Sequence, residues 1–320
     1  MTKLNTVYTA AAVLIGSALA APAYATECIA PSNPGGGWDF TCRSVGKILT
    51  ELGEVDGNVQ VTNMPGGVGA VGFAHVAADR SDDADLIIAT STVAVTQIAQ
   101  SKYPGGLEDA RFLAMLGADV GVIAVDADSP YRTLGDLTAA MQQTPDQVIG
   151  AGDGAGSWDH IRYLLVAKES GVENITGLRW VQFDGGTEAI TQMMGGQITV
   201  VSTDLGEASG FAESGDIRLL AVLSDEPVPA FPDIPTAVSQ GVDVTGYNWR
   251  GFYTGKNVSD ADHDAWVARL ETVYNSDQWK QAATNAGLIP NWIAGADFQA
   301  YLADQEAEIA EISRAIGIIK

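Results

Sequence analysis

Two hydrophobic rhythms alternate along this chain. Short apolar runs of strand length precede stretches in which apolar residues recur at helical spacing. The runs at 28–30, 59–61, 86–89, 122–125, 148–149, 180–183, 198–201 and 219–222 read as strands. Helical periods sit between them. Val45, Ile48, Leu49 and Leu52 share one face of a helix that opens near Asp39. Others are expected near 70–78, over 133–141, and around Ile161, Leu164 and Leu165. The C-terminal third reads as helical and ends in a segment carrying Phe298, Leu302, Ile309, Ile312 and Ile316. Such alternation predicts α/β domains with largely parallel sheets.

In open α/β sheets, ligands bind beyond the carboxyl ends of the strands. Two strand ends here are unusually rich in glycine, at 35–37 and at 150–156, and both open helices. Glycines let the backbone approach a ligand closely. The unpaired N–H groups of a helix start favour an anion. If the two loops face each other across a cleft, two helix starts converge on one small anion.

Composition sharpens this picture and complicates it. The chain has 320 residues, 40 acids against 17 lysines and arginines, and a net charge of −23. That length accommodates two compact domains. The charge argues against nucleic acid or an anionic membrane as a partner. It also means that an anion site must oppose the global field locally. Lys3, the apolar run 10–20 and Ala23-Tyr24-Ala25 fit a cleaved export signal, with cleavage after Ala25. Two cysteines in an exported chain point to one disulfide, Cys28 with Cys42; two buried thiols are the alternative.

Several motifs mimic other chemistries. Gly67, Gly69 and Gly72 spell G-x-G-x-x-G, but residues 63–65 separate them from the strand end, and no acid closes the next strand. Asp260, Asp262, Asp264 and Glu271 have the spacing of a calcium loop, yet Ala265 stands where a glycine is needed. Ser259 and Asp262 read instead as a helix cap. Ser157, Asp159 and His160 offer a nucleophile and a base, but no nucleophile elbow surrounds them. The three histidines lie far apart in sequence, which disfavours a metal site. Arg43, Arg162 and Arg250 are the candidates for charge compensation, and Arg250 is preferred.

With these residues in view, a family resemblance emerges. The stretches 27–42 (ECIAPSNPGGGWDFTC), 64–71 (MPGGVGAV), 123–137 (IAVDADSPYRTLGDL), 150–160, 183–188 (FDGGTE) and 231–241 (FPDIPTAVSQG) carry it, with 195–197, 217–222 and 250–253. The chain resembles the periplasmic solute-binding proteins of tripartite tricarboxylate transporters, the Bug family, and most of all the TctC type. The resemblance covers essentially the whole mature chain. It implies a two-domain type II periplasmic binding fold, closing like a Venus flytrap around a carboxylate. It implies capture without catalysis or cofactor, and delivery to a membrane permease, here with citrate as the expected ligand. A dicarboxylate, an aromatic acid, or a sensor role beside a histidine kinase are the alternatives.

The implied gripping loops are Pro34, Gly35, Gly36, Gly37, Trp38 and Asp39 in the first domain and 152–160 in the second, with Gly154, Gly156, Ser157 and His160 as its expected contacts. Strand ends add Ser91, Thr92, Phe183, Thr203 and Asp204, and Arg250 completes the set. The expected division is 26–122 and 227–320 for one domain and 123–226 for the other. Hinges are expected near 123–127 and 223–228, and the protein is expected to be a monomer.

Overall fold

The computed structural model describes residues 26–183, 185–229 and 231–320. The export-signal reading falls on residues 1–25, outside the described residues.

The first part of the chain runs β1 (Glu27–Ala30), α1 (Gly37–Leu52), β2 (Gln60–Asn63), α2 (Ala70–Asp79), β3 (Leu86–Ser91) and α3 (Thr92–Ala99). A long strand, β4 (Ala110–Asp126), leads into α4 (Leu134–Gln143), β5 (Ile149–Gly152), α5 (Trp158–Glu169) and β6 (Arg179–Gln182). Then come α6 (Gly186–Met194), β7 (Val200–Asp204), α7 (Leu205–Ser214), β8 (Ile217–Leu223) and β9 (Tyr247–Gly255). The chain ends with α8 (Asp260–Asn275), α9 (Asp277–Asn285), β10 (Ile293–Ala294) and α10 (Gly295–Ala315).

β4 explains the architecture. Its 17 residues are buried almost without interruption, because the strand belongs to two sheets. Residues 110–120 pair with β9, and residues 121–126 pair with β7 and β8. The first sheet orders β2, β1, β3, β9 and β4, and the second continues through β7, β5 and β6. The β1–β2–β3 and β5–β6–β7 groups are parallel, as the alternating pattern predicts. The central strands are antiparallel, which that pattern does not show. β4 carries the chain into the second half and β9 carries it back, so the two must run in opposite directions.

The crossing points lie at 120–121 on β4 and 246–247 before β9, joined by a bond from the Gly121 N–H to the Gly246 carbonyl at 3.0 Å. The apolar run at 122–125, within the first expected hinge segment, is embedded in the second sheet. The segment after β8 also stays on that sheet: the Ala237 N–H bonds Val222 O, and the Gln240 amide bonds Leu220 O.

The C-terminal helices cover the first sheet. Their bulky indoles are buried and paired: Trp266 Nε1 donates to Ala84 O, and Trp279 Nε1 to Leu116 O. Phe298 of α10 packs edge-on against Phe112 of β4 and Trp249 of β9. Cys28 of β1 and Cys42 of α1 form a disulfide with Cα atoms 5.7 Å apart. It ties together the two ends of the glycine loop. The calcium-like acids of α8 behave as a capped helix start, with the Ser259 side chain accepting from the Asp262 N–H.

Candidate functional site

A cavity of about 480 Å³ opens between the two sheets. That is a size suited to a small-molecule ligand. One wall is the start of α1. Gly36 is its N-cap and supplies no side-chain acceptor. The Gly35 N–H is taken by Asp39 Oδ2 at 2.9 Å and the Gly36 N–H by Asn33 O at 3.1 Å. The anion-seeking donors are therefore the first amides of α1 itself rather than those of the glycines before it. Trp38, 8% exposed, lines the cavity with an Nε1–H that has no partner.

Asp39 braces this loop from behind. It accepts from the Gly35 N–H, from Arg43 and from Asn63 Nδ2 at 2.8 Å. Burial opposes its ionisation, but the Arg43 and Gly35 hydrogen bonds outweigh burial and hold the carboxyl below its usual value. Arg43 is thereby engaged outside the cavity.

The floor is built from β4, β9 and β7. Asp119 stands directly opposite Asn248, and Gly121 opposite Asp204. Asn248 and Arg250, two apart on one strand, share a face. Arg250 Nη2 lies 3.0 Å from Asp204 Oδ2 and 3.6 Å from Asp119 Oδ2. Gly37 makes room for it: a Cβ there would lie 3.0 Å from the Arg250 guanidinium carbon. Arg162 of α5, wholly buried, bonds Asp204 Oδ1 at 2.8 Å, Gly246 O at 3.0 Å and the Asp159 carboxylate.

The far wall comes from the second sheet. Asp153 and Asp159 flank the start of α5, and Gly185, Thr187, Gly206 and Glu207 mark the starts of α6 and α7. Crowding of acids sets the titration here. Burial, with Asp204 beside it, raises Asp119 to about 8. Burial raises Asp159 to about 6 even against Arg162. Glu207 faces the cleft, yet burial and Asp204 raise it to about 7. Burial and Asp159 also push Asp153 well above the usual carboxylate range. Asp204 is the exception. Burial works to raise it, but Arg162 and Arg250 hold it low.

Of the expected ligand residues, Gly35, Gly36, Gly37, Trp38, Ser91, Asp204 and Arg250 line the cavity. Pro34 is exposed at the turn before it. Thr92 is buried beneath, where its hydroxyl donates to Tyr247 O and fixes the start of β9. Thr203 donates to Glu207. Phe183 packs on the apolar core of the second sheet.

Gly154, Gly156, Ser157 and His160 do not line the cavity. Their loop turns toward the first half of the molecule instead. The Gly156 carbonyl accepts from Gln100, and its N–H donates to His160 Nδ1. Ser157 caps α5 by accepting from the His160 N–H. The His160 ring stacks on Trp180 at 4.6 Å, and burial with Lys102 nearby lowers it to about 4. Asp153 and Asp159, inside the expected 152–160 loop, do line the cavity, and the residues that the sequence reading passed over are Asp119, Glu207 and Asn248. Asp119 did leave a signal, a lone acid inside an apolar strand run, which must be compensated or functional.

Two curled sheets joined by crossing strands around a central cavity define the periplasmic solute-binding fold. A TctC solute binding protein from Polaromonas shares it, with a TM-score of 0.72 at 24% identity over 92% of this chain and 99% of that one. An R. palustris protein solved with adipate matches at a TM-score of 0.82 and 18% identity, over 92% of this chain and 98% of its own. In sequence, a UPF0065 protein from the tcbD-tcbE intergenic region of Pseudomonas sp. strain P51 is 24% identical over 232 residues, 71% of this chain and 67% of the relative. The model of the tripartite tricarboxylate transporter family receptor, TctC, matches residues 48–318, and the chain belongs to that family. Its members are substrate-binding receptors rather than enzymes.

Proposed function

We propose that this chain is a periplasmic receptor that captures a small carboxylate-bearing solute in the central cavity and hands it to the membrane permease of a tripartite transporter. The observation that carries the reading is the uncapped start of α1, which meets the unpartnered Trp38 Nε1–H and the Arg250 guanidinium on one cavity wall. A carboxylate satisfies all three kinds of donor at once. We divide the molecule into two lobes at Gly121 and Gly246, and capture proceeds by their closure about these crossing points.

Citrate is the ligand the family resemblance favoured. The cavity favours a solute of lower negative charge. Five carboxylates line it, and the two guanidiniums among them are already paired with acids. A bare trianion meets repulsion there that a mono- or dicarboxylate meets less. Adipate in the R. palustris neighbour is a ligand of that lower charge.

A thermal-shift panel followed by calorimetry tests the reading. Mono- and dicarboxylates are expected to raise the melting temperature more than citrate, and Trp38→Phe should weaken the best of them. A panel in which no carboxylate binds, or in which Trp38→Phe leaves affinity unchanged, overturns it.

A further inference from the structure

The cavity wall holds more negative charge than a receptor for a simple carboxylate requires. Asp119, Asp153, Asp159, Asp204 and Glu207 all line it. Arg162 is engaged by Asp159 and Asp204, and Arg250 by Asp204 and Asp119. Among the described residues, no cation pairs with Asp153 or Glu207. Uncompensated acids in a closed cleft are costly unless a cation arrives with the ligand.

Asn248 points the same way independently. Its Nδ2 donates to Asp204 Oδ2 at 2.6 Å, which fixes the orientation of the amide. Its Oδ1 is then left buried with no partner, in a residue 4% exposed that lines the cavity. A buried acceptor without a donor is unsatisfied until something supplies an N–H or O–H. The cavity is therefore polarised. Donors without acceptors sit at Trp38 and the start of α1; acceptors without donors sit at Asn248 and Asp153, and Glu207 accepts only from the Thr203 hydroxyl.

Among the described residues, no group of three or more acids, histidines or cysteines has the geometry to hold a metal ion. The carboxylates ring the walls rather than converge on a point. A cationic group carried on a small molecule matches that spread.

We infer that the solute is zwitterionic, with its carboxylate at the start of α1 beside Trp38 and a protonated nitrogen held by Asn248 Oδ1, Asp119, Asp153 and Glu207. The inference rests on the carboxylate-receptor reading above and names the second half of its ligand. The raised carboxyls agree with it, since the arriving cation stabilises the ionised form that crowding and burial oppose.

The test uses matched chains that differ only in their end groups. Succinate, glutarate and adipate are compared by calorimetry at pH 8 with the ω-amino acids and the diamines of the same lengths. At the best length, the ω-amino acid should bind at least about tenfold more tightly than the dicarboxylate, a difference of ~1.4 kcal/mol. Glu207→Gln should lower ω-amino acid affinity by about tenfold while leaving or improving that of the dicarboxylate. Glu207 faces the cleft and its carboxyl is raised by burial and Asp204, so at pH 8 the variant should melt no lower than the parent.

Dicarboxylates binding as well as or better than ω-amino acids at every length overturn the inference and leave the carboxylate-receptor reading standing. Diamines binding best overturn both. A Glu207→Gln variant that weakens dicarboxylate and ω-amino acid equally overturns the inference alone, as does calcium or magnesium binding that the variant abolishes without an ω-amino acid preference in the parent.

Discussion

Gly37 and Arg250 occupy one space. The guanidinium lies where a side chain on Gly37 would stand, with Cζ and Nη2 each 3.0 Å from a Cβ built there. The contact joins the first helix to the central strand β9 and places a cation beside the first amides of α1. Arg250 is in turn held by Asp204, so the helix start, β9 and β7 meet at a single planar group. The arrangement explains why a glycine ends this loop, although Gly37 has ordinary helical geometry and needs no left-handed freedom.

Gly37→Ala should therefore act on binding more than on folding. The obstructing atoms are the far end of a flexible side chain, so the arginine can move aside. We expect at least about a tenfold loss of affinity for the best carboxylate, and a stability change within ~1 kcal/mol. Calorimetry and urea unfolding measure the two separately. Stability lost without affinity lost would show that Arg250 serves folding rather than capture.

Arg162 should show the opposite balance. It is wholly buried, bonds Asp159, Asp204 and Gly246 O, and lies against both crossing glycines. Arg162→Met leaves two buried acids without their partner, a class of change that costs about 3–5 kcal/mol. A Cβ on Gly246 would stand 2.5 Å from Arg162 Cδ, so Gly246→Ala should also destabilise, by overpacking at the crossing point. Unfolding midpoints in urea check both. An Arg162→Met variant of parental stability would mean that the acids rearrange or take up protons without cost.

The disulfide prediction concerns preorganisation. Cys28 and Cys42 are separated by 14 positions and enclose the loop that presents the start of α1. Replacing both with serine should cost about 3 kcal/mol on the chain-entropy model for a loop of this size. It should also weaken binding, because the loop must then be ordered at the moment of capture. Parental affinity in the double-serine variant would show that Asp39, Asn63 and Arg43 alone hold the loop in place.

Much of this architecture was legible in the chain, and the exceptions share a cause. The short parallel strands β1, β3 and β7 are apolar runs that read directly, whereas β5 (Ile149–Gly152) takes in three residues that read as the start of the glycine-rich loop. β9 does not read directly, because Asn248, Arg250 and Gly251 interrupt its apolar pattern. Those residues are polar because the strand floors the cavity, and Gly251 is small because a Cβ there would strike the Ala114 carbonyl at 2.4 Å. The first half of β4 was hidden for a related reason: burial on both faces removes the alternation that marks a strand.

In the site, the glycine loop and Arg250 were readable as local motifs. Asp119 and Glu207 were not, since they meet Asp153 only through tertiary folding. The 150–156 loop was legible only in part. Gly156 packs against Gln100, Lys102 and Ile318 and Gly150 against Tyr163, while the position of the loop that reaches the cavity is an acid, Asp153.

That acid cluster gives the ligand-free protein an unusual dependence on pH. Asp119 and Glu207 titrate near 8 and 7, and Asp153 is also raised, by burial first and by neighbouring acids after it. In the unfolded chain all three ionise near 4. Between these values the folded state holds protons that the unfolded state has released, so stability falls as pH rises. Asp159, raised to about 6, adds to the fall at the acidic end. His160, lowered to about 4, opposes it below its ordinary value of about 6.5 and is neutral in both states above that. Asp204, held low beside Arg162 and Arg250, is ionised in both states throughout. The clean window is therefore about pH 6.5 to 8. Across it the ligand-free protein should lose melting temperature with each step upward, and Asp119→Asn should flatten the slope. A flat or rising profile would mean that water or rearrangement lets the cluster ionise freely. The same titration carries to binding: if a cationic group enters the cluster, calorimetry near pH 7 in buffers of different ionisation enthalpy should register protons released on capture.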